Sequence, residues 1–223
     1  MSSKAPDIKS KIQPAKASRR GILYVVSSPS GGGKGTLIRR VLEVMPDLSY
    51  SVSYTTRAPR NGEVNGREYF FVDRQRFEEM VAAGNFLEWA NVHGHLYGTA
   101  RSQVTREVAA GTDIILEVDV QGAASVKELD GLDSVSIFIL PPSLETLKER
   151  LLARGTDSQE QLDVRLRKAP EELSQYVSFD YIIFNDQIDR AAAQLAAIVS
   201  AERARRARQE PLIRDVIEKF KAN

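Results

Sequence analysis

The run Ser28-Pro29-Ser30-Gly31-Gly32-Gly33-Lys34-Gly35-Thr36 has the residue types and spacing of a phosphate cradle. Glycines let backbone N–H groups turn onto an anion, a helix opening behind them adds its positive dipole, and a lysine at this point reaches the β- and γ-phosphates of a nucleoside triphosphate. Ser28 stands at the first glycine position of the general pattern. Gly35 stands where the magnesium-binding hydroxyl usually sits, and Thr36 follows it. The cradle implies a bound triphosphate and leaves open what receives the phosphate. Arg57 and Arg60, three apart in Thr55-Thr56-Arg57-Ala58-Pro59-Arg60, suit a phosphate dianion, since each planar guanidinium donates two parallel hydrogen bonds. Glu88 interrupts the apolar run Phe86-Leu87-Glu88-Trp89-Ala90 where alternation would bury it, and a buried acid needs a partner. Asp119 ends the run Ile114-Ile115-Leu116-Glu117-Val118-Asp119. A carboxylate at that edge of a parallel sheet faces the same crevice as the cradle. It could hold Mg²⁺ through water, accept a hydrogen bond from a nucleotide, or cap a helix beginning at Val120. Trp89, Phe70 and Phe71 read as core rather than as ligand contacts.

The elements that must position these residues alternate. Strands are expected at Ile22–Ser27, Ser49–Ser53, Ile114–Val118, Val135–Leu140 and Tyr181–Phe184, several as the continuous apolar runs of strands buried on both faces. Helices are expected at Lys34–Val44, Asp73–Ala83, Ser102–Ala109, Ser143–Ala153, Ser158–Ser174 and Ile188–Arg208. The alternation predicts an α/β fold, a parallel sheet with helices on both faces. Residues 54–100 break it, with Gly, Arg, Tyr, Asn and short alternating runs, and predict an inserted small sheet carrying one helix. Residues 150–168 break it again, with Arg150, Arg154, Arg165 and Arg167 around Gly155-Thr156. Residues 1–20 are polar and basic and read as a disordered tail. The charge run Glu202–Arg208 reads as a solvated helix face.

Composition narrows the function classes. The chain has 223 residues, no cysteine, two histidines and a formal net charge of +1. Disulfide frameworks, thiolate metal sites and a zinc centre are therefore not expected, nor is a nucleic-acid-binding surface. No apolar run approaches the roughly 20 residues of a spanning helix, and the N-terminus lacks a signal-peptide core, so the expectation is a cytoplasmic protein without membrane contact. Self-association is left open.

The run Thr55–Arg60, then Gly62-Glu63-Val64-Asn65-Gly66, Tyr69-Phe70-Phe71-Val72, Phe86-Leu87-Glu88 and Tyr97-Gly98-Thr99 resembles the guanylate kinases, members of the nucleoside monophosphate kinases with a P-loop. The resemblance spans about residues 21–208 and keeps the family's motif order. It implies a core of residues 21–53 and 101–208, a GMP-binding insertion at 54–100, an arginine-bearing lid at 150–168 and a C-terminal helix or tail at 209–223. It implies that Arg57, Arg60, Tyr69 and Tyr97 hold the GMP phosphate, that Ser53, Glu88 and Thr99 read guanine, and that Asp119 lies near GMP and the metal. Glu117 stands where many relatives carry Asp. Around ATP, the resemblance implies Ser28, Ser30, Gly31, Gly32, Gly33, Lys34, Gly35 and Thr36, with Arg150, Asn185 and Asp186 on the adenine side. Lys34, Arg57, Arg60, Arg154 and Arg165 would neutralise charge during transfer. Mg²⁺ would arrive with ATP and meet Thr36 or Asp119. Chemistry agrees on the base: guanine presents two adjacent donors, N1–H and the exocyclic amine, to a carboxylate such as Glu88, while adenine opposes it with an acceptor. The activity implied is transfer of phosphate from ATP to GMP, with these small molecules as the partners. A P-loop GTPase would need an Asn-Lys-x-Asp run, which is missing. A non-catalytic scaffold domain that binds phosphopeptides would not need the Lys34 cradle.

Overall fold

Leu23–Ser27 forms β1, and every one of its residues is buried because it is the central strand of a five-stranded sheet covered on both faces. The computed structural model describes residues 19–92, 94–129, 131–153 and 158–221. The sheet order is β2 (Ser49–Tyr50), β7 (Ile114–Glu117), β1, β8 (Ser134–Leu140) and β9 (Tyr181–Phe184), and each neighbouring pair is parallel. Period two divides β1 between two cores. Tyr24 and Val26 pack with Leu37, Ile38 and Val41 of α1 (Lys34–Val44) and with Ala191, Leu195 and Val199 of α7 (Ile188–Ala204). Leu23 and Val25 pack with Val104 and Val108 of α3 (Arg101–Ala109) and with Ala123 and Val126 of α4 (Val120–Lys127).

The second sheet lies within residues 54–100. Its order is β4 (Phe70–Phe71), β3 (Tyr54–Thr55), β6 (His95–Ala100) and β5 (Phe86–Val92). Phe86 and Leu96 close a small core of their own with Phe77 and Met80 of α2 (Arg74–Ala82), whose N-cap Asp73 accepts from the Arg76 amide. A register shift between Phe86 and Glu88 turns Leu87 toward the main core instead. The chain crosses between the sheets at Ser51–Ser53: the Ser51 amide still donates to Ile115, while the Ser53 carbonyl accepts from Phe70 in the second sheet. That handover shortens β2 from the expected Ser49–Ser53 to two residues. α5 (Leu144–Ala153) and α6 (Gln159–Ser174) share a second small core of Leu147, Leu151, Leu162 and Ala169. Ser158 caps α6 with a reciprocal Ser158–Gln161 capping box.

Four expectations are corrected. The helix expected over Ile188–Arg208 stops at Ala204, Arg205 leaves helical geometry, and α8 (Arg206–Lys221) begins. The charge run there is a solvated face only in part, with Arg205 and Arg206 exposed and the other charges drawn in. Glu202 is buried and accepts from the Tyr181 hydroxyl and Arg208, while Arg203 reaches Asp47 and the buried Asp113. Trp89 is 47 % exposed rather than core. Arg19, within the segment read as tail, donates twice to Asp113, and residues 1–18 lie outside the described residues.

Candidate active site

The catalytic candidates that can be placed come from the β1–α1 junction (Lys34), the loop after β3 (Arg57 and Arg60) and α6 (Arg165). Residues 28–33 join β1 to α1. Gly33 holds φ +90° as the N-cap of α1, a conformation that L side chains rarely adopt, and a Cβ there would meet Asn185 Nδ2 at 2.5 Å. No side chain caps α1 and its first turn holds no acid. The helix dipole and the first-turn amides therefore present an anion site. Lys34 Nζ donates to the Ser28 carbonyl at 3.3 Å, across the mouth of the loop. Ser28 itself is buried, its hydroxyl donating to Pro29.

One cavity joins this cradle to the second sheet. It is lined by Ser28, Ser30, Gly31–Gly33, Lys34 and Gly35 on one side, and by Ser53, Arg60, Tyr69, Glu88 and Tyr97 on the other, with Glu117 and Asp119 between them. β5 and β6 set Glu88 directly across from Thr99, and Thr99 Oγ1 donates to Glu88 Oε1 at 2.6 Å. Thr99 is fully buried and not part of the cavity lining; it touches the carboxylate from behind. Burial raises the Glu88 carboxyl to about 7, the Thr99 hydrogen bonds hold it down, and the Asp119 charge pushes it up again. A Cβ on Gly122 of α4 would lie 2.7 Å from Glu88 Oε2, so only glycine leaves room for the carboxylate there.

Between the two walls, Glu117 Oε2 accepts from the Tyr50 hydroxyl at 3.2 Å, and a Cβ on Gly35 would lie 3.5 Å from the same oxygen. Burial first, and the Glu117 charge second, raise both the Tyr50 and the Tyr69 hydroxyls. Asp119 is the N-cap of α4, with Oδ1 accepting from Gly122 N at 2.9 Å. Capping and cavity lining thus coexist in this residue. Thr36 is exposed, with Arg39 donating to its hydroxyl at 3.4 Å.

The arginines divide. Arg60 lines the cavity. Arg57 does not line it; its guanidinium is held by Glu63 and lies 5.5 Å over the Tyr69 ring, which in turn meets Tyr97 edge-on. Arg165 reaches Ser30 Oγ at 3.0 Å from α6. Arg150 of α5 donates to the carbonyls of Asn185 (2.7 Å) and Gly32 (3.3 Å), and Asn185 Nδ2 donates to Gly32 O at 2.9 Å. These two therefore clasp the cradle from outside. Asp186 is exposed and paired with Arg190. Arg154 lies outside the described residues.

Several participants escape a sequence reading. Glu172 accepts from the Ser30 amide at 2.9 Å, and Lys168 joins Arg165 and Glu172 in the cavity wall. Their spacing along α6, near one helical face, was the available signal. Tyr50 and Glu63 gave no comparable signal, because their partners are fixed by tertiary contact or by a loop.

A model of the family described as guanylate kinase matches residues 20–202. A guanylate kinase of Rhodopseudomonas palustris is 49 % identical over 191 residues, covering 86 % of this chain and 87 % of its own. One from Sphingopyxis alaskensis is 48 % identical over 202 residues, covering 89 % and 92 %. The crystal structure of a guanylate kinase from Anaplasma phagocytophilum superposes with a TM-score of 0.73 at 36 % identity, covering 85 % of this chain and 90 % of that one.

Proposed function

The chain belongs to the guanylate kinase family and transfers phosphate from ATP to GMP, and we propose that the cavity between cradle and second sheet is where its residues do so. The observation that carries this assignment is the single cavity with Lys34 on one wall and Glu88, Arg60 and Tyr69 on the other. In this reading ATP lays its phosphates on the Gly31–Thr36 amides, with Arg150 and Asn185 holding the loop's carbonyl side back. GMP enters opposite. The ionised Glu88 carboxylate accepts from N1–H and the exocyclic amine of guanine, steadied by Thr99, and Ser53 adds a hydroxyl. Arg60, Arg57, Tyr69 and Tyr97 take the GMP phosphate.

The acceptor is already an anion, so no strong base is needed. Positioning and charge neutralisation lower the barrier. Lys34 and Arg165 meet the transferring group from the cradle and the lid, and Arg154 would join them. The oxygens that line the cavity centre are the carboxylates of Asp119 and Glu117, the Thr36 hydroxyl stands exposed on the first turn of α1, and no group of three or more Asp, Glu, His or Cys residues that could hold a metal ion by itself occurs among the described residues. That suits a magnesium ion held chiefly by phosphates and water, for which Thr36 and Asp119 are the protein ligands or water anchors. Bound there, the ion would neutralise phosphate charge. The 54–100 insertion and the 150–168 segment act as the acceptor-binding unit and the lid, and their closure excludes water. No helix among the described residues is long and apolar enough to cross a membrane, which supports action in the cytoplasm.

A coupled assay with ATP and GMP, dGMP, AMP, UMP or CMP tests the reading. Turnover with GMP should exceed that with AMP by roughly 10⁴-fold, as for sites that hydrogen-bond a substrate's donors. Equal rates with AMP, or no turnover with GMP, would overturn it.

A further inference from the structure

The loop between Arg57 and Tyr69 carries a carboxylate that the transfer scheme leaves unused. Glu63 Oε1 and Oε2 both accept from Arg57 Nη2 at 2.9 Å, and Oε2 also accepts from the Arg60 amide at 2.7 Å. Both side chains are largely buried, with 10 % and 17 % of their surfaces exposed. The second terminal nitrogen of Arg57, Nη1, donates to the Ala58 carbonyl at 2.7 Å, and the guanidinium lies over the rings of Tyr69 and Phe71. Arg57 is thus gripped by a carboxylate, a carbonyl and two aromatic rings, while the same carboxylate ties down the backbone of Arg60.

We infer that Glu63 is a positioning residue for the acceptor phosphate: it holds the Arg57 guanidinium and the Arg57–Arg60 turn in the arrangement that receives GMP. The inference rests on the placing of GMP proposed above. A guanidinium carries N–H donors in a rigid fork. Those on Nη2 face Glu63, Nη1 meets Ala58, and the Tyr97 hydroxyl, itself a candidate phosphate contact, also hydrogen-bonds the guanidinium; the anion meets the donor edge that these contacts share. A long arginine side chain has much rotamer freedom to lose, and a side chain already fixed loses less of it when the substrate arrives. Glu63 also keeps a buried cation paired before GMP enters, so the empty pocket does not hold two adjacent uncompensated guanidinium groups.

The opposite role is also chemically meaningful. A carboxylate on a phosphate-binding arginine could be a stand-in that GMP must displace, and removing it would then tighten GMP binding. A double-mutant cycle separates the two. KM for GMP, KM for ATP and kcat are measured for the full chain, Glu63→Gln, Arg57→Ala and the double variant. Glu63→Gln should raise KM for GMP about tenfold while KM for ATP stays within about twofold, because a neutral amide still fills the space but holds the cation less firmly. In the Arg57→Ala background the same change should have only a small further effect, through the Arg60 amide, which a general loosening of the loop would not reproduce. Glu63→Asp should recover part of the loss, and a normal KM for ATP reports that each variant is folded. An unchanged or lowered KM for GMP in Glu63→Gln, or full additivity with Arg57→Ala, would overturn the inference. A normal KM for GMP in Arg57→Ala would instead overturn the placing of the phosphate, and the inference with it.

Discussion

Replacing Glu88 by Gln separates what this carboxylate costs the fold from what it gives the reaction. Burial raises the Glu88 carboxyl from 4.5 to about 7, against the Thr99 hydrogen bonds. The folded state therefore binds the proton more tightly than the unfolded chain does. The sign follows: the stability associated with the neutral acid is fully present below pH 4.5 and is lost as pH rises through about 7. At about 1.4 kcal/mol per pH unit, the ionised acid costs about 3 kcal/mol at pH 8. Gln is isosteric, keeps an oxygen for Thr99 Oγ1 and never ionises. Urea unfolding of both proteins at pH 5 and pH 8 should show near-equal stabilities at pH 5 and a gain of about 3 kcal/mol for Glu88→Gln at pH 8, on the order of 10 °C in Tm for a domain of this size. The same variant should bind GMP at least about 100-fold more weakly at pH 8, since an amide presents only one acceptor to guanine's two donors. The GMP/AMP preference of the parent should fall about tenfold for each pH unit below 7, because protonated Glu88 turns one acceptor into a donor that suits adenine. Comparing two monophosphates cancels titration of their common phosphate. A stability difference independent of pH between 5 and 8 would refute the argument, as would a GMP/AMP ratio that Glu88→Gln leaves intact.

Other perturbations probe separate parts of the site. Gly122→Ala places a methyl group 2.7 Å from Glu88 Oε2, so KM for GMP should rise about tenfold with KM for ATP unchanged; steady-state kinetics with each substrate varied will decide. Lys34→Ala should lower kcat by about 10²-fold or more while GMP affinity, read by calorimetry, stays near normal. Asp113 is buried, and the hydrogen bonds from Arg19, the Ile22 amide and Arg203 overcome its burial to hold its carboxyl below the usual range. Its stabilisation is therefore present above pH 3.8 and fades as pH falls through the lower folded value. Asp113→Asn should cost about 3 kcal/mol in urea unfolding at pH 7, leaving the GMP/AMP preference untouched.

The legibility of this chain follows the range of the interactions. β1, β7 and β8 could be read because strands buried on both faces become unbroken apolar runs. The cradle could be read because its glycines, lysine and following helix are contiguous. Glu88 could be read as a buried acid, and the same alternation that buries it turns Trp89 outward, whereas the burial of Leu87 against the main core depends on a register shift at Phe86–Glu88 that no residue type announces. The C-terminal charges misled for a related reason. Arg203 and Arg208 look solvated until Asp113 and Asp133 arrive from 90 and 75 residues away. Arg57 and Arg60 look alike in sequence, and only the packing of Glu63 and Tyr69 distinguishes the arginine that lines the cavity from the one behind it.

The clasp on Gly32 has a consequence for how the protein is made. Its carbonyl is held by Asn185, 153 residues later in the chain, and by Arg150. β1, which aims the cradle, finds its sheet partners only when β7 and β8 have emerged. Such long separations slow folding, and synthesis adds about 5–20 residues per second. The triphosphate cradle therefore leaves the ribosome well before the segments that give it its shape. A truncated or partly made chain carries the glycine loop without the groups that orient it, so incomplete copies would not turn over ATP unproductively.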